Sequence, residues 1–282
     1  MPDSPPPPSS PIPVALTIAG SDSGGGAGLQ ADLKALQANG VFGMSVVTAV
    51  TAQNSQAVTA AFDLPVEVVA AQLDAVAADF RIDAVKTGML SSAALIGAVA
   101  DGIERHRLGP VVVDPVMISK SGFALLKAEA VEALKARMLP LAALLTPNAH
   151  EAEALAGFPV HTLADARRAA AAILAMGPQA VLVKGGHLDG EAEAVDVLLD
   201  GEGEGLFRAP RFDTPHTHGT GCTYASAIAA NLAKGYAPRE AVRRAKAYVT
   251  EAVRHALPLG HGHGPTHHFW FLSGDEAVPE EA

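Results

Sequence analysis

The sequence contains only one cysteine, Cys222, among its 282 residues. A single thiol excludes any disulfide within the chain and favours a reducing compartment, so we expect a cytoplasmic protein. The first residues carry neither the basic segment nor the continuous apolar segment of a secretory signal. No apolar run reaches the roughly 18 residues that a membrane-spanning helix needs, so no membrane partner is expected.

Basic residues are also scarce. Lys and Arg number 20 against 30 Asp and Glu, which gives a formal net charge of −10. This balance argues against a nucleic-acid groove, which needs clustered cations. It does not exclude a small anionic ligand, because a few local donors can bind a phosphate within an acidic protein.

The two ends of the chain differ in composition from the rest. Residues 1–13 hold seven of the 20 prolines and have little to bury, which is typical of a disordered or extended tail. A polyproline docking ligand is the alternative. Residues 273–282 are acidic and are expected to fray. Residues 14–272 contain no linker, and apolar residues make up 49% of the chain, which predicts one domain with a sizeable core.

Between these ends, short apolar runs alternate with segments of helical spacing. The predicted strands are Val14–Ala19, Ser45–Val50, Asp83–Lys86, Val111–Val113, Ala143–Leu145 and Ala180–Val183, followed by an antiparallel pair, Ala194–Leu199 and Leu206–Arg208. The predicted helices are Gly28–Asn39, Pro65–Phe80, Ala93–His106, Lys127–Leu139, His150–Ala156, Leu163–Met176, Gly221–Lys234 and Pro238–Ala256. This alternation predicts an α/β fold whose mostly parallel central sheet carries helices on both faces.

Every predicted parallel strand is followed by glycine or polar residues. In an open parallel sheet, ligands bind beyond the carboxyl ends of the strands, so these residues are the candidate site. The first loop, Gly20–Gly28, lacks the Gly-Lys-Ser/Thr ending of a P-loop. Its glycines favour close approach of the main chain to a small ligand, and a flexible turn is the alternative.

A second glycine loop, Thr217–Thr223, opens a predicted long helix. Amide groups at a helix N-terminus face an anion there, which suits the charge of a phosphoryl group in transfer. Asn148 and Glu151 are three residues apart at another helix start, where they could hold a hydrated Mg²⁺ or simply cap the helix. Lys184, at a strand end, could contact a phosphate or be a solvated charge.

Taken together, these motifs resemble those of the ribokinase-like superfamily in its vitamin-kinase branch. The resemblance is strongest to the hydroxymethylpyrimidine/phosphomethylpyrimidine kinases of thiamin synthesis, and it runs over about residues 14–270. The segments that carry it are Ala19–Ser23 with Gly25–Gly28, Gln30–Lys34, Thr51–Asn54, Lys86–Leu90, Asp114–Met117, Thr146–Asn148 with Glu151, Lys184–His187, His218–Thr223 and Gly262–Pro265 with His267–Phe269.

The resemblance implies phosphoryl transfer from ATP to 4-amino-5-hydroxymethyl-2-methylpyrimidine and then to its monophosphate, in a homodimer that uses Mg²⁺. It implies that Gln53 hydrogen-bonds the aminopyrimidine edge. The other implied roles are a substrate pocket lined by Gly20, Asp32, Met89 and Val116, ATP binding by Lys184, Asn148 and Asp114, a magnesium motif at Asn148 and Glu151, and a catalytic anion hole at Gly219, Thr220, Gly221 and Cys222.

Cys222 is where the chain departs from the wider superfamily. Sugar kinases of this fold carry an aspartate base at this position, whereas the thiamin branch carries cysteine. A helix N-terminus lowers the pKa of a thiol, so Cys222 is a candidate for accepting the hydroxymethyl proton, with a small packing residue as the alternative. Pyridoxal kinase, which usually has the aspartate, is the alternative enzyme. A non-catalytic pyrimidine-binding relative is the alternative outside enzymes.

Overall fold

The computed structural model of this chain describes residues 12–118, 122, 125–126, 129–186 and 188–272. The predicted acidic end, residues 273–282, lies outside the described residues, as does the predicted proline-rich tail up to residue 11. The inner boundary of that tail needs a correction of one residue. The carbonyl of Pro13 accepts a hydrogen bond from the amide of Phe42, so Pro13 already belongs to the folded body.

A central sheet of eight strands organises the fold. Counting the two strands of a separate hairpin, the structure describes ten strands: β1 (Val14–Ala19), β2 (Phe42–Val47), β3 (Ala49–Gln53), β4 (Val58–Asp63), β5 (Ala84–Thr87), β6 (Val111–Val113), β7 (Leu144–Leu145), β8 (Ala180–Val183), β9 (Glu193–Asp200) and β10 (Gly203–Pro210). Their order in the sheet is β10-β9-β8-β7-β6-β5-β1-β2, while β3 and β4 pair separately. Across the sheet, every neighbouring pair between β2 and β8 is parallel. At the other edge, β9 runs antiparallel to both β8 and β10.

Helices cover both faces of the sheet. They are α1 (Gly28–Ala38), α2 (Val66–Asp79), α3 (Ala93–Arg105), α4 (Ala130–Ala133), α5 (Ala149–Ala156), α6 (Leu163–Leu174), α7 (Thr220–Ala233) and α8 (Pro238–Arg254). One core cluster joins the sheet to α1, α7 and α8, and the other joins it to α2, α3, α5 and α6. Alternate residues of one strand serve the two clusters, since Val112 belongs to the first, and Val111 and Val113 to the second. The predicted fold class is confirmed.

The predicted strand Ser45–Val50 is wrong in its bounds. Its apolar run spans two strands, because the chain leaves the sheet at Thr48, whose hydroxyl donates a hydrogen bond to the carbonyl of Met89 at 2.8 Å. The second strand, β3, forms a hairpin with β4, which the sequence did not predict because β4 is mostly exposed. Residues 51–53 therefore lie on a hairpin beside the sheet rather than at the end of a sheet strand.

The predicted helix Lys127–Leu139 is confirmed from Ala130 onward, although it is not a regular α-helix throughout. Residues 127 and 128 lie outside the described residues, and α4 continues into a π-helical turn at Leu134–Met138 and a 3₁₀ turn at Leu139–Leu141. Pro140 cannot donate a main-chain hydrogen bond, which stops the regular helix there. Among the described helices, none is long and apolar enough to cross a membrane.

The strand order reverses next to β1. The chain passes from β1 outward to β2 on one side, and from β5 outward to β6, β7 and β8 on the other. Loops that leave such a switch point diverge and open a crevice at the carboxyl edge of the sheet. The loops after β1 and β5 border this crevice, and Asp114, Thr146 and Lys184 follow the ends of β6, β7 and β8.

Candidate active site

One carboxylate organises the first glycine loop. Asp22 is almost wholly buried, and its oxygens accept hydrogen bonds from the amides of Gly24 (2.8 Å), Gly26 (3.1 Å) and Ala27 (2.8 Å). Burial by itself raises the pKa of Asp22, but the hydrogen bonds from His218 and from these amides outweigh it, so the pKa lies below its usual value. Asp22 is therefore ionised at neutral pH and holds the loop in a fixed shape.

The second glycine loop approaches the main chain of the first loop closely at Gly219 and Gly26. Gly219 has a φ of +77°, and a Cβ added to it would lie 1.8 Å from the carbonyl oxygen of Gly26. A Cβ on Gly26 would in turn lie 2.6 Å from the ring of His218. Only glycine allows this approach at either position. The contact brings the loop after β1 to the N-terminus of α7, where the free amide groups of the helix begin.

His218 ties the two loops together by its side chain. Its Nε2 lies 2.9 Å from Oδ2 of Asp22, and its own amide donates to the carbonyl of Gly264 at 3.1 Å. The sequence motif contained His218 and Asp22, but sequence reasoning gave neither a role. A signal existed for Asp22, because a short acidic side chain in a glycine-rich loop commonly accepts from nearby amides.

Gln53, the predicted pyrimidine ligand, lies at the end of β3 in the hairpin. Ser23 anchors its main chain, since the serine hydroxyl donates to the carbonyl of Gln53 and accepts from its amide. Its side-chain Oε1 lies 3.3 Å from the hydroxyl of Thr51, and its Nε2 lies 3.4 Å from Nε2 of His218. Gln53 is thus attached to both glycine loops.

The apolar residues predicted for the substrate pocket are distributed along the crevice. The sulfur of Met89 would lie 3.0 Å from a Cβ added to Gly20, so these two residues are in close contact. Val116 lies beside Gly88 and Leu90 in a small apolar hollow. A cleft of about 210 Å³ lies next to His218. It is lined by Gly24, Gly26, Asn54, Ser55, His218, Leu259, Gly260, His263 and Pro265.

Lys184 and Asp114 meet at the start of α7. The Lys184 ammonium lies 2.9 Å from Oδ1 of Asp114, and it would lie 3.3 Å from a Cβ added to Gly221. Burial lowers the pKa of Lys184, but the charges of Asp114 and Glu151 raise it further, so the net pKa is above its usual value. A cation is therefore fixed beside the amide groups predicted to form the anion hole.

Asn148 and Glu151 form a capping box in this structure. The Asn148 Oδ1 accepts from the Glu151 amide at 2.9 Å, and a Glu151 carboxylate oxygen accepts from the Asn148 amide at 2.7 Å. Burial, opposed by Lys184 and reinforced by the charge of Asp114, raises the pKa of Glu151 to about 7. Asn148 and Glu151 therefore cap the helix in this structure, as the alternative interpretation predicted. The carboxylates of Glu151 and Asp114 repel each other, and the Lys184 ammonium attracts both.

Asp32 requires a correction. Predicted to line the substrate pocket, it is fully buried, with its oxygens accepting from Lys86 at 2.8 and 2.9 Å, from Thr17 at 2.6 Å and from Ser226 at 2.8 Å. Lys86 is equally buried, and its pKa is raised, because the charge of Asp32 outweighs the opposing effect of burial. The pair supports the site from inside the core and presents no surface to a ligand.

Cys222 is partly exposed in the first turn of α7. Although the residue as a whole is partly exposed, its thiol is buried, and this burial raises the pKa of the thiol to about 12. The charge of Lys86 opposes the effect only in part, and the charges of Asp32 and Asp114 add to it. The expectation that the helix N-terminus would lower this pKa is wrong, because desolvation and two carboxylates outweigh the helix. The thiol is protonated at neutral pH.

The doubly wound sheet, with a glycine loop at its switch point and a lysine beside the N-terminus of α7, has the architecture of the ribokinase-like small-molecule kinases, to which its structural neighbours belong. The chain belongs to the phosphomethylpyrimidine kinase family, whose sequence model matches residues 22–267. A hydroxymethylpyrimidine/phosphomethylpyrimidine kinase of Streptomyces coelicolor is 56% identical over 268 residues, which are 95% of this chain and 98% of the relative.

Two solved structures share this architecture. The ADP complex of Bacillus subtilis pyridoxal kinase has a TM-score of 0.87 and 40% identity, and the match covers 93% of this chain and 100% of that one. The phosphomethylpyrimidine kinase of Clostridium difficile has a TM-score of 0.76 and 46% identity, with coverage of 85% and 99%. The likeness to a kinase solved with ADP supports the use of ATP.

The location of Asp32 leads to a first prediction. Asp32→Ala leaves the Lys86 ammonium unpaired in the core, so the free energy of unfolding should fall by about 3–5 kcal/mol, the usual cost of breaking a buried ion pair. Urea denaturation measures this loss. Asp74→Ala is the control, because it removes an exposed partner of Arg105 and should cost far less. Unchanged stability with lost pyrimidine binding would instead restore Asp32 as a ligand contact.

Proposed function

We propose that this chain is an ATP-dependent kinase that phosphorylates 4-amino-5-hydroxymethyl-2-methylpyrimidine and then its monophosphate, in thiamin biosynthesis. The observation that carries the proposal is the position of the Lys184 ammonium beside Gly221, at the first amides of α7. A fixed cation and a helix N-terminus together stabilise the charge of a phosphoryl group in transfer. Membership of the phosphomethylpyrimidine kinase family supports the choice of acceptor.

The acceptor is held by the crevice at the switch point. Gln53 offers a donor and an acceptor to the aminopyrimidine edge, and Met89, Val116 and Gly20 supply apolar surface beside it. The hydroxymethyl oxygen then forms a bond to the γ-phosphorus as the bond to ADP breaks, and the hydroxyl proton passes to a phosphate oxygen or to water. In the second reaction an oxygen of the monophosphate takes the same role and forms the diphosphate.

The nucleotide phosphates are assigned to Lys184 and to the amides of Gly219, Thr220, Gly221 and Cys222. The proposed ATP-binding residues also include Asp114 and Asn148. Lys184 is paired with Asp114. A triphosphate beside Gly221 would share the Lys184 ammonium with Asp114. The negative charge of the triphosphate would then be partly neutralised by a cation that is already in the site. Because these groups are already in position, little reorganisation is needed during transfer.

Magnesium fits this corner of the site as a hydrated ion. Asp114 and Glu151 supply hard oxygen donors, and a divalent cation would offset both the burial of Glu151 and its repulsion from Asp114, the two effects that raise the pKa of Glu151. When bound, Mg²⁺ neutralises phosphate charge.

A direct assay tests the proposed function. ATP consumption should be rapid with the pyrimidine alcohol and with its monophosphate, and slower with pyridoxal. Pyridoxal is the second candidate acceptor, because a pyridoxal kinase shares the fold at 40% identity. Turnover of pyridoxal alone would identify that activity instead. Binding of the pyrimidine with no turnover at all would identify a non-catalytic relative.

Gln53→Ala tests the acceptor contact. Loss of one buried polar partner should weaken pyrimidine binding by roughly 1–3 kcal/mol while ATP binding stays unchanged. Calorimetric titration with each ligand measures both. Gln56→Ala is a matched control on the same hairpin, since the Gln56 side chain is exposed and accounts for none of the contacts of Gln53. Equal pyrimidine affinity in Gln53→Ala and wild type would refute the contact.

Cys222 is proposed to act through its position in the anion hole. A thiol with a pKa of about 12 is a poor proton acceptor at neutral pH, and the loose transition state of phosphoryl transfer needs little base strength. Cys222→Ala keeps the main-chain amides, so kcat should fall by less than about tenfold, whereas a working base contributes ~10²- to 10⁴-fold. Steady-state kinetics with saturating pyrimidine measures the change.

The pH dependence provides the control for Cys222. Below its pKa, the thiolate fraction rises tenfold per pH unit, so a thiolate base would make the ratio of wild-type to Cys222→Ala kcat rise steeply with pH. We expect this ratio to stay constant between about pH 6 and pH 9. A ratio that rises with pH would show that the thiolate accepts the proton.

We extend the proposal to a cytoplasmic homodimer. The β3–β4 hairpin lies outside the main sheet and exposes Val50 (50%) and Phe62 (66%), an apolar surface that a second copy could cover. Light scattering should show a dimer that Phe62→Asp dissociates. Phe80→Asp is the control, because Phe80 is also exposed (47%) but follows α2. A Phe62→Asp variant that remains dimeric would place the interface elsewhere.

A further inference from the structure

We propose that Asp22 and His218 fix the orientation of the Gln53 side-chain amide, and that this orientation makes the pocket selective for a ring with an amino group beside a ring nitrogen. The proposal rests on the proposed role of Gln53 in binding the acceptor. Asp22 and His218 are then positioning residues, since they act on the acceptor through Gln53.

The first step is the hydrogen on His218. Its Nε2 faces Oδ2 of Asp22 at 2.9 Å, and this oxygen already accepts from the amides of Gly26 and Ala27. An ionised carboxylate can only accept hydrogen bonds. The imidazole nitrogen that faces it must therefore carry a hydrogen, and His218 Nε2 is a donor.

The second step concerns the amide atom next to this donor. Nε2 of Gln53 is placed 3.4 Å from Nε2 of His218, which would set two N–H donors against each other. The oxygen and nitrogen of an amide are nearly identical in shape, so the hydrogen-bond partners decide which is which. The one hydrogen of His218 Nε2 points mainly to Asp22 at 2.9 Å, and a Gln53 oxygen at 3.4 Å can share it, whereas an NH₂ group there would face it as a second donor. The amide oxygen is therefore the atom that suits this position.

Thr51 leads independently to the same orientation. Its hydroxyl has one hydrogen, which it donates to the carbonyl of Ser21 at 2.8 Å. The hydroxyl can then only accept from the other amide atom of Gln53, which lies 3.3 Å away, so that atom must be the NH₂ group. Thr51 is buried, so its hydroxyl cannot turn to solvent instead. Both neighbours place the oxygen beside His218 and the nitrogen beside Thr51.

The fixed amide has a direct consequence for recognition. One lone pair of the Gln53 amide oxygen and one hydrogen of its amide nitrogen remain free to bind a ligand. The fixed orientation of the amide decides on which side the acceptor lies and on which side the donor lies. A 4-aminopyrimidine presents an amino donor next to a ring-nitrogen acceptor, which pairs with this order in a single orientation. Pyridoxal has no amino group beside its ring nitrogen. An amide free to rotate would accept either order, so loss of the His218 donor should reduce discrimination.

Ligand binding tests the proposal without requiring catalysis. His218→Phe keeps a ring but removes the donor, and it should raise the Kd of the aminopyrimidine by roughly tenfold, the effect of about one net hydrogen bond. The Kd of the analogue without the amino group should stay nearly constant. His218→Gln, whose amide nitrogen can replace Nε2 as a donor, should restore most of the affinity. His161→Phe is the control, because His161 is exposed before α6.

Two outcomes would overturn the proposal. Equal weakening of both ligands by His218→Phe, or equal behaviour of the Phe and Gln variants, would mean that His218 only fills space. A wild-type protein that does not bind the pyrimidine would refute the proposed function instead, and the amide orientation would still be testable as follows.

Nuclear magnetic resonance supplies a readout that needs no ligand and is made on the wild-type protein, with a variant used only to assign the signals. Imidazole ¹H–¹⁵N correlations of the wild-type protein distinguish a protonated Nε2 from a bare one. The His218 signals are assigned by their loss in His218→Gln. We expect hydrogen on Nε2 of His218 at neutral pH. An unprotonated Nε2 would overturn the proposal whatever the binding data show.

Discussion

The buried pair of Asp32 and Lys86 is the interaction on which the rest of this site depends. It joins α1 to β5, and through Thr17 and Ser226 it also joins β1 and α7. These four elements carry both glycine loops and the thiol. A charge removed from water is costly unless it is fully paired, so the network permits only one arrangement of those elements. The fixed geometry needed for phosphoryl transfer thus originates one layer below the surface that binds ligands.

Above this layer, the site is built largely from main chain. Asp22 gathers three amides, and the two glycine loops meet at Gly26 and Gly219 with no side chain between them. Main-chain donors cannot change rotamer, and they keep their direction when a ligand arrives. The few side chains that face the crevice, such as Gln53 and Lys184, are each held by a neighbouring side chain. Preorganisation of this kind lowers the reorganisation that accompanies transfer.

Sequence reasoning predicted the sheet, its helices and the edge that carries the site, because buried strands and glycine-rich exits leave clear patterns. It failed where an effect depends on three dimensions. Asp32 matched a family motif, yet only the packing of α1 against β5 shows that it pairs with Lys86. The pKa of Cys222 follows from desolvation and neighbouring carboxylates, which a helix-start motif does not reveal. The hairpin strand β4 left no pattern, because most of its residues are exposed.

The contact between Gly26 and Gly219 joins parts of the chain that are almost two hundred positions apart in sequence. The second loop is further held by Gly264 and Pro265, near the end of the described chain. Such contacts form only after the intervening chain has been ordered. During synthesis, which proceeds from the N-terminus, the pocket cannot close until the last helix and the segment after it have left the ribosome. A nascent or truncated chain that lacks this segment can therefore form most of the sheet but not the contacts that hold the second glycine loop in place.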